Sequence, residues 1–166
     1  DVPGALGASA ELPRYGLQPM TIASGVCGLA LKKDLEQDDG TVRHQYTTGF
    51  PAPGMLACSF DPDLIFSVGK AIGREMQEYG VAFCLAPGCA LQRTPFDAVS
   101  QESWSEDPVL TGLCALFFCK GVQTHGAAIL RTGTLPRSLD IRLSSLRDIY
   151  ALPFEIAARA CKAALL

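Results

Sequence analysis

The chain has 166 residues, enough for one domain or for a piece of a larger one. Hydrophobic residues make up 48% of it and charged residues 19%, with a mean hydropathy of +0.20 and a net charge of −3. Such a composition fits a well-buried α/β domain or one that exposes apolar surface. Because it contains no basic run and no apolar stretch near the ~18 residues of a membrane span, we expect no nucleic-acid partner and no membrane partner.

The cysteine pattern indicates buried, reduced thiols. Seven cysteines form no CxxC pair, and most lie inside apolar runs. Neither histidine stands beside a cysteine pair at ligand spacing, so we expect no metal and no cofactor. Reduced cysteines and the lack of a signal-peptide pattern predict a cytoplasmic protein. The start at Asp1 predicts that the natural N-terminus is missing or processed.

The first third of the chain reads as two strands separated by a polar loop. Residues 20–23 are apolar and run into a turn at Ser24-Gly25, which predicts a strand. Residues 32–48 are rich in acidic side chains and predict a solvated loop. The apolar residues 55–60 predict a second strand.

A helix follows, with clear start and stop signals. Asp61 precedes Pro62, and aspartate before a proline at the first helical position is a typical helix start. Gly80 ends the helix, and residues 81–85 predict a third strand, closed by Pro87-Gly88. The inward face is predicted from apolar residues at helical spacing, namely Leu64, Ile65, Val68, Ile72, Met76 and Tyr79.

The same capping pair, Asp107-Pro108, predicts a second helix that runs to about Thr124. Its apolar face is so wide that we expect it to be covered on more than one side, and its inward residues are predicted to be Leu113, Leu116 and Phe117.

The last part of the chain predicts a strand and a helical region. Gly126 is followed by a fourth short strand over residues 127–130. Residues 143–166 are predicted to be helical, with a break or kink near Pro153. This alternation of strands and helices predicts a parallel sheet, which is half of an eight-fold barrel or a small open sheet.

Nine short motifs, in order along nearly the whole chain, resemble one known family. Among them are FPAP at 50–53, VGKAIGRE at 68–75 and SEDP at 105–108. The ordered set resembles the N-terminal barrel domain of the glycoside hydrolase family 3 β-glucosidases. The resemblance implies a partial (β/α)8 TIM-type barrel of about four β/α units, with residues 1–166 forming one partial domain. The remaining motifs are at 2–5, 13–17, 59–64, 85–88, 146–150 and 153–155.

The resemblance also implies an activity and a mechanism. The family hydrolyses glycosidic bonds with retention, using an aspartate nucleophile and a glutamate acid/base. In the family both lie beyond the last motif matched here, and even the strand after the Glu155 helix is expected to be absent. We therefore expect no catalytic residue in this chain.

Position by position, the resemblance implies that several sugar ligands have changed. The family's sugar-binding aspartate falls on Ser24, its lysine on Arg131 and the histidine after that lysine on Thr132. These three residues and Arg93 are the substrate-binding candidates. Losing a charged sugar ligand removes strong hydrogen bonds. Further positions changed from the family's motif are Ala30, Gln92, Thr94 and Val99, while Arg93, Pro95 and Glu102 are kept.

Single residues were weighed against structural roles. Asp107 is interpreted as a helix cap rather than a catalytic carboxylate. Arg93 faces the pocket or pairs with Glu102, and the pairing is favoured because the ligands that Arg93 would support are missing. His44 and His125 are expected at the surface or at a helix end.

Three functions remain open. The first is a truncated or degenerate β-glucosidase-like domain that is inactive alone, with a β-glucoside or another sugar as ligand. The second is a sugar-binding or assembly module, which completes a barrel as a homo-oligomer or with a complementary half-barrel. The third is a chain without a selected function.

Overall fold

One five-stranded sheet organises the molecule. The computed structural model describes residues 2–96, 100–131, 141–161 and 164–165. The strands of the sheet lie in the order β1-β2-β5-β6-β7. β1 pairs antiparallel with β2, and the other four strands are parallel. Their bounds are β1 Gly7–Ala8, β2 Thr21–Ser24, β5 Phe83–Leu85, β6 Ala127–Leu130 and β7 Ala164–Leu165.

The segment predicted as a polar loop contains a small hairpin. β3 (Asp34–Glu36) and β4 (Val42–His44) form a separate antiparallel sheet. Gly40, with φ +79°, occupies the turn between them, and its N–H donates to the carbonyl oxygen of Gln37 at 2.9 Å. His44 is exposed and its Nδ1 lies 2.7 Å from Asp34 Oδ1, so the prediction of a surface histidine is confirmed.

The strand predicted at residues 55–60 is wrong, because this segment forms the short helix α1 (Pro53–Ala57). The buried residues are Pro53, Leu56 and Ala57, at the i, i+3, i+4 spacing of a helix. Met55 is 69% exposed. A short apolar run fits either structure, and here the proline at the first helical position favours the helix.

The next helix, α2 (Pro62–Tyr79), begins and ends as predicted. The Asp61 carboxylate accepts hydrogen bonds from the N–H groups of Asp63 and Leu64 at 3.0 and 3.1 Å. Gly80 takes the left-handed conformation at the other end, with φ +71°. The predicted inward face is right except at Leu64, which is 42% exposed.

The helix α3 (Pro108–Val122) is covered on two sides, as predicted. It packs against α2 on one side and α5 (Leu152–Ala160) on the other. A Cβ at Gly69 of α2 would overlap the carbonyl oxygen of Phe118, so the two backbones are in close contact. The prediction that Leu113 points inward is wrong, since this side chain is 41% exposed and the largest buried one in the helix is Phe118.

The C-terminal region is only partly helical. α4 (Leu143–Ser145) continues into a π-helical turn at Leu146–Tyr150 and then into α5, which ends at Ala160. The backbone of Ala164 and Leu165 forms β7 and pairs parallel with β6. The strand expected to be absent therefore begins within the chain, and the prediction of helix to residue 166 is wrong.

The core lies between the sheet and the helices. Trp104 and Phe118 pack edge to face in it, with ring centroids 5.8 Å apart. Among the described helices, none is both long and apolar enough to cross a bilayer.

Candidate functional site

A cavity of about 470 Å³ opens at the carboxyl end of β2. We call it the first cavity. Ser24, the last residue of β2, is partly buried in its wall. Cavities at this end of parallel strands commonly hold ligands in α/β folds, because the loops there converge. Its wall comprises Ser24, the turn residues 26–30, Thr47, Thr48, Gly49, Ala52, Gln101 and Glu102.

The turn after β2 is held tightly by backbone contacts. The Ala30 N–H donates to the Ser24 carbonyl oxygen at 3.0 Å, and the Phe50 N–H donates to the Cys27 carbonyl oxygen at 2.9 Å. Gly28 has φ +109°, and a Cβ there would overlap the carbonyl oxygen of Thr48. A side chain at this position would therefore be strained and would also push Thr48 away.

The opposite wall is fixed by α2. Glu75, in the 68–75 motif, accepts a hydrogen bond from the Thr48 N–H, with distances of 3.0 and 3.2 Å to its two carboxylate oxygens. The Thr48 hydroxyl donates to the same carboxylate. A charged acceptor that binds one residue through both N–H and hydroxyl restricts its position. The motif thus places a wall of the first cavity as well as packing the core.

The charged groups at the first cavity form one ion pair. Glu102 lies in its wall, and the guanidinium of Arg131, just after β6, donates to the Glu102 carboxylate. The Arg131 backbone is itself fixed, since its N–H donates to the Pro87 carbonyl oxygen and its carbonyl accepts from the Cys89 N–H, both at 2.9 Å. Among the described residues, Glu102 is the one carboxylate in this wall.

The Cys27 thiol reports the negative charge of that pair. Partial burial of the thiol and then the nearby Glu102 carboxylate raise the pKa of Cys27 above its usual range. A thiol with a raised pKa is a poor nucleophile near neutral pH. Neither Cys27 nor Glu102 is therefore arranged as an activated nucleophile.

The four predicted sugar-binding residues do not meet at one site. Ser24 and Arg131 lie near the first cavity, Arg131 through its ion pair with Glu102. Arg93 lies in the wall of a different cavity, with its guanidinium 5.5 Å from the ring centroid of Tyr150. The favoured pairing of Arg93 with Glu102 is wrong, because Arg131 takes that carboxylate. Thr132 lies outside the described residues, as does Val99.

Gln92, at the position of the family's histidine, has a structural role. Its side-chain amide donates to the carbonyl oxygens of Ser100 and Ser103 at 3.3 and 2.8 Å. The amide therefore holds the segment that carries Glu102 beside Arg131. The polar groups of Gln92 bind the protein's own backbone rather than solvent or a ligand.

Sequence reasoning missed Thr48 and Cys27 as parts of the cavity wall. Neither belongs to a chemical motif, and Thr48 comes from the segment after the hairpin, far from β2 in sequence. The signal that was available is Gly49-Phe50-Pro51, which fixes the end of the hairpin segment close to the first turn. Within the described residues, no group of three or more histidines, cysteines or carboxylates could hold a metal ion.

Known proteins share both this arrangement and its sequence. The sequence pattern of the glycosyl hydrolase family 3 N-terminal domain matches residues 17–134, more than half of the chain. The chain belongs to this family. The family 3 resemblance drawn from the nine motifs is thereby confirmed.

Relatives of the chain are much longer proteins. It is 31% identical over 156 residues to a probable beta-glucosidase J of Neosartorya fischeri, a match that covers 86% of this chain and 18% of that protein. It is 31% identical to the thermostable beta-glucosidase B of Acetivibrio thermocellus, with 88% and 20% covered. The chain thus spans about a fifth of the length of these relatives.

Solved structures of the family share the fold. Beta-glucosidase 3B from Thermotoga neapolitana, in a complex with glucose, superposes with a TM-score of 0.88 at 36% identity, covering 97% of this chain and 23% of that one. A Kluyveromyces marxianus beta-glucosidase, also with glucose, gives 0.79 at 26% identity, covering 99% and 20%. The α/β fold of the family 3 N-terminal domain is therefore established for this chain.

Proposed function

We propose that this family 3 domain is a β-glucosidase-like module that binds a β-linked glucoside weakly in the first cavity and does not hydrolyse it alone. The observation that carries the proposal is the single ion pair of Glu102 with Arg131 in a cavity at the carboxyl end of the parallel strands. The two solved relatives described above bind glucose, which supports a sugar as the ligand class.

The proposed lack of turnover rests on the carboxylates. Retaining hydrolysis needs two carboxyl groups about 5 Å apart, one as nucleophile and one as acid/base. In the described wall of the first cavity, Glu102 is the one carboxylate, and its charge is compensated by Arg131. A carboxylate held by a guanidinium is stabilised in its charged form and is a poor proton donor at neutral pH.

The proposed weakness of binding rests on the substitutions. Where the family has an aspartate, Ser24 offers a shorter, uncharged hydroxyl, and Ala30 offers no polar group in place of an arginine. Hydrogen bonds to charged groups contribute about 1.5–3 kcal/mol each, so two losses weaken binding by orders of magnitude.

Binding can be measured by NMR titration with methyl β-D-glucopyranoside as the probe. We expect saturable shifts of the amide signals of Gly28 and Thr48 at millimolar sugar, and about tenfold weaker binding in Glu102→Gln. Arg74→Ala is the matched control, because Arg74 is exposed on α2, away from the first cavity. No shifts at those amides, or equal affinity in Glu102→Gln, would contradict sugar binding in this cavity.

A second candidate is an assembly module, and the shape of the sheet favours it. We infer that the four parallel strands are the first half of a (β/α)8 barrel, whose open edge at β7 pairs with a second copy or a complementary half. Exposed apolar side chains in the adjoining helical region support this, with Leu143 79% and Leu146 37% exposed. Light scattering tests it: a dimer is expected, and a monodisperse monomer at high concentration would count against it.

A further inference from the structure

A second cavity, separate from the first, lies between α1 and the segment that follows β5. Its volume is about 470 Å³, within the range of about 300–1,000 Å³ typical of small-molecule sites. None of its wall residues is shared with the first cavity. The residues used below are Cys58, Phe60, Gln92, Arg93, Trp104 and Glu106.

One buried polar atom in this wall has no partner. Trp104 is 2% exposed, and its indole Nε1 neither meets solvent nor has a hydrogen-bond partner in the part of the chain that the structure describes. Leaving a buried donor unsatisfied costs about 1–3 kcal/mol, so such groups usually have a role. A ligand that brings an acceptor to this indole would remove that cost.

An exposed aromatic ring stands at the mouth of the same cavity under backbone strain. Phe60 has φ +52°, a left-handed conformation that bulky residues rarely adopt, and its side chain is 75% exposed. The chain thus holds a phenyl ring out in solvent, where it gains little from burial. Strain of this kind is concentrated at ligand-binding positions.

The charged groups of the second cavity are of both signs. Arg93 and Glu106 lie in its wall, and among the described residues neither takes part in an ion pair. Arg93 offers donors and Glu106 offers acceptors, whereas a site for an anion or a cation would favour one sign. The pair fits a neutral ligand that both accepts and donates hydrogen bonds.

A shallower cavity of about 660 Å³ adjoins this one and shares Cys58 and Gln92 with it. Its wall adds Phe96, which is 95% exposed. The two exposed rings therefore border one continuous depression. Its length suits a ligand of two rings better than a ligand of one.

We propose that the second cavity is a saccharide-binding site, distinct from the first cavity, which takes a neutral pyranoside of about two rings. The C–H face of a sugar ring packs on Phe60, while its hydroxyl groups accept from Arg93 and from the indole of Trp104 and donate to Glu106. The site recognises sugar without chemistry, because its one carboxylate has no second carboxylate opposite it among the described residues.

Trp104 is the one tryptophan of the chain, so its fluorescence reports on this cavity directly. The probe is cellobiose, titrated into the purified chain, with sorbitol at equal concentration as the control for a general solute effect. We expect a saturable change in Trp104 emission with cellobiose and none with sorbitol. No saturable change with cellobiose, or the same change with sorbitol, would overturn the proposal.

Two variants make the test specific. Phe60→Gly removes the ring and suits the left-handed backbone, so it should keep or raise the stability while weakening cellobiose binding about tenfold. Arg93→Met keeps the side-chain length and should also weaken binding about tenfold. Unchanged affinity in both variants would show that the sugar binds elsewhere.

The first cavity supplies the control that separates the two proposals. Glu102→Gln should leave the Trp104-reported affinity for cellobiose unchanged, although it weakens methyl β-D-glucopyranoside binding at Gly28 and Thr48. If Glu102→Gln abolished the Trp104 response, the fluorescence would report the first cavity, and the second site would be rejected. A response that followed protein concentration rather than sugar would identify the exposed rings as a contact between copies and would also reject it.

Discussion

The helical scaffold and the first cavity differ in how far this chain keeps the residues of its family. In the scaffold, the 68–75 motif is retained, and Gly69 lies where any side chain would strike the backbone of α3. At the first cavity, Ser24 and Ala30 stand where the family resemblance implies charged sugar ligands. Close packing excludes substitution at Gly69, whereas a cavity wall tolerates smaller side chains without loss of the fold. The fold can therefore persist where the chemistry has not.

The largest expected effect lies inside the scaffold. Phe118→Ala removes a ring that is 1% exposed and packs on Trp104, so we expect unfolding to become easier by about 3–5 kcal/mol. The matched control is Leu113→Ala in the same helix, where the side chain is 41% exposed and the cost should be below about 1 kcal/mol. Urea denaturation measures both. Equal losses would contradict the assignment of the buried face of α3.

A smaller effect is expected at the start of the same helix. Asp107→Ala removes the carboxylate that accepts from the Leu110 N–H at 2.7 Å, which should cost about 1 kcal/mol. The neighbouring Glu106→Ala removes a carboxylate without a capping bond and should change the stability by less than about 0.5 kcal/mol. If Glu106→Ala were the more destabilising of the two, Asp107 would not be the structural cap described here.

The smallest expected effect concerns charge at the first cavity. Because the Glu102 carboxylate raises the pKa of Cys27, Glu102→Gln should lower that pKa and increase the thiolate fraction at pH 8. Iodoacetamide should then alkylate Cys27 faster in the variant, with the difference shrinking at high salt. The exposed Cys58 serves as the internal control, and peptide mass spectrometry reads both sites. An unchanged rate at Cys27 would place Glu102 outside its electrostatic reach.

The parts of the fold that sequence predicts well are those with local signals. α2 has an aspartate cap, a proline at its first position, a periodic apolar face and a terminal glycine, and all of these act within a few residues. α1 has only a short apolar run, which a helix and a strand accommodate equally, so the predicted strand was wrong. β7 depends on its pairing with β6, which no local pattern around residues 164–165 encodes.

The hairpin had a local signal that was overlooked. Asp39-Gly40 is typical of a tight turn between two strands, but the flanking strands are short and exposed. High polarity therefore suggested a loop. The segment shows that a solvated strand pair can lack the apolar alternation on which strand prediction relies.

The candidate site was predictable by position but not by contact. Ser24 and Arg131 were placed near the first cavity because they follow strands whose carboxyl ends meet at one edge. The choice of Arg131 over Arg93 as the partner of Glu102 depends on side-chain positions that spacing does not give. The second cavity was missed, because a strained phenylalanine and an unpartnered indole leave no mark in the sequence. The cytoplasmic location inferred from the cysteines stays a prediction.

Hydrolysis of an aryl β-glucoside tests the central claim, that the family's fold is kept here without its catalytic pair. The purified 166-residue chain is incubated with p-nitrophenyl β-D-glucopyranoside, and release of nitrophenol is compared with buffer and with the Glu102→Gln variant. We predict no release above buffer from either protein, because a retaining mechanism needs two carboxyl groups about 5 Å apart. Turnover by the chain that Glu102→Gln abolishes would contradict this account.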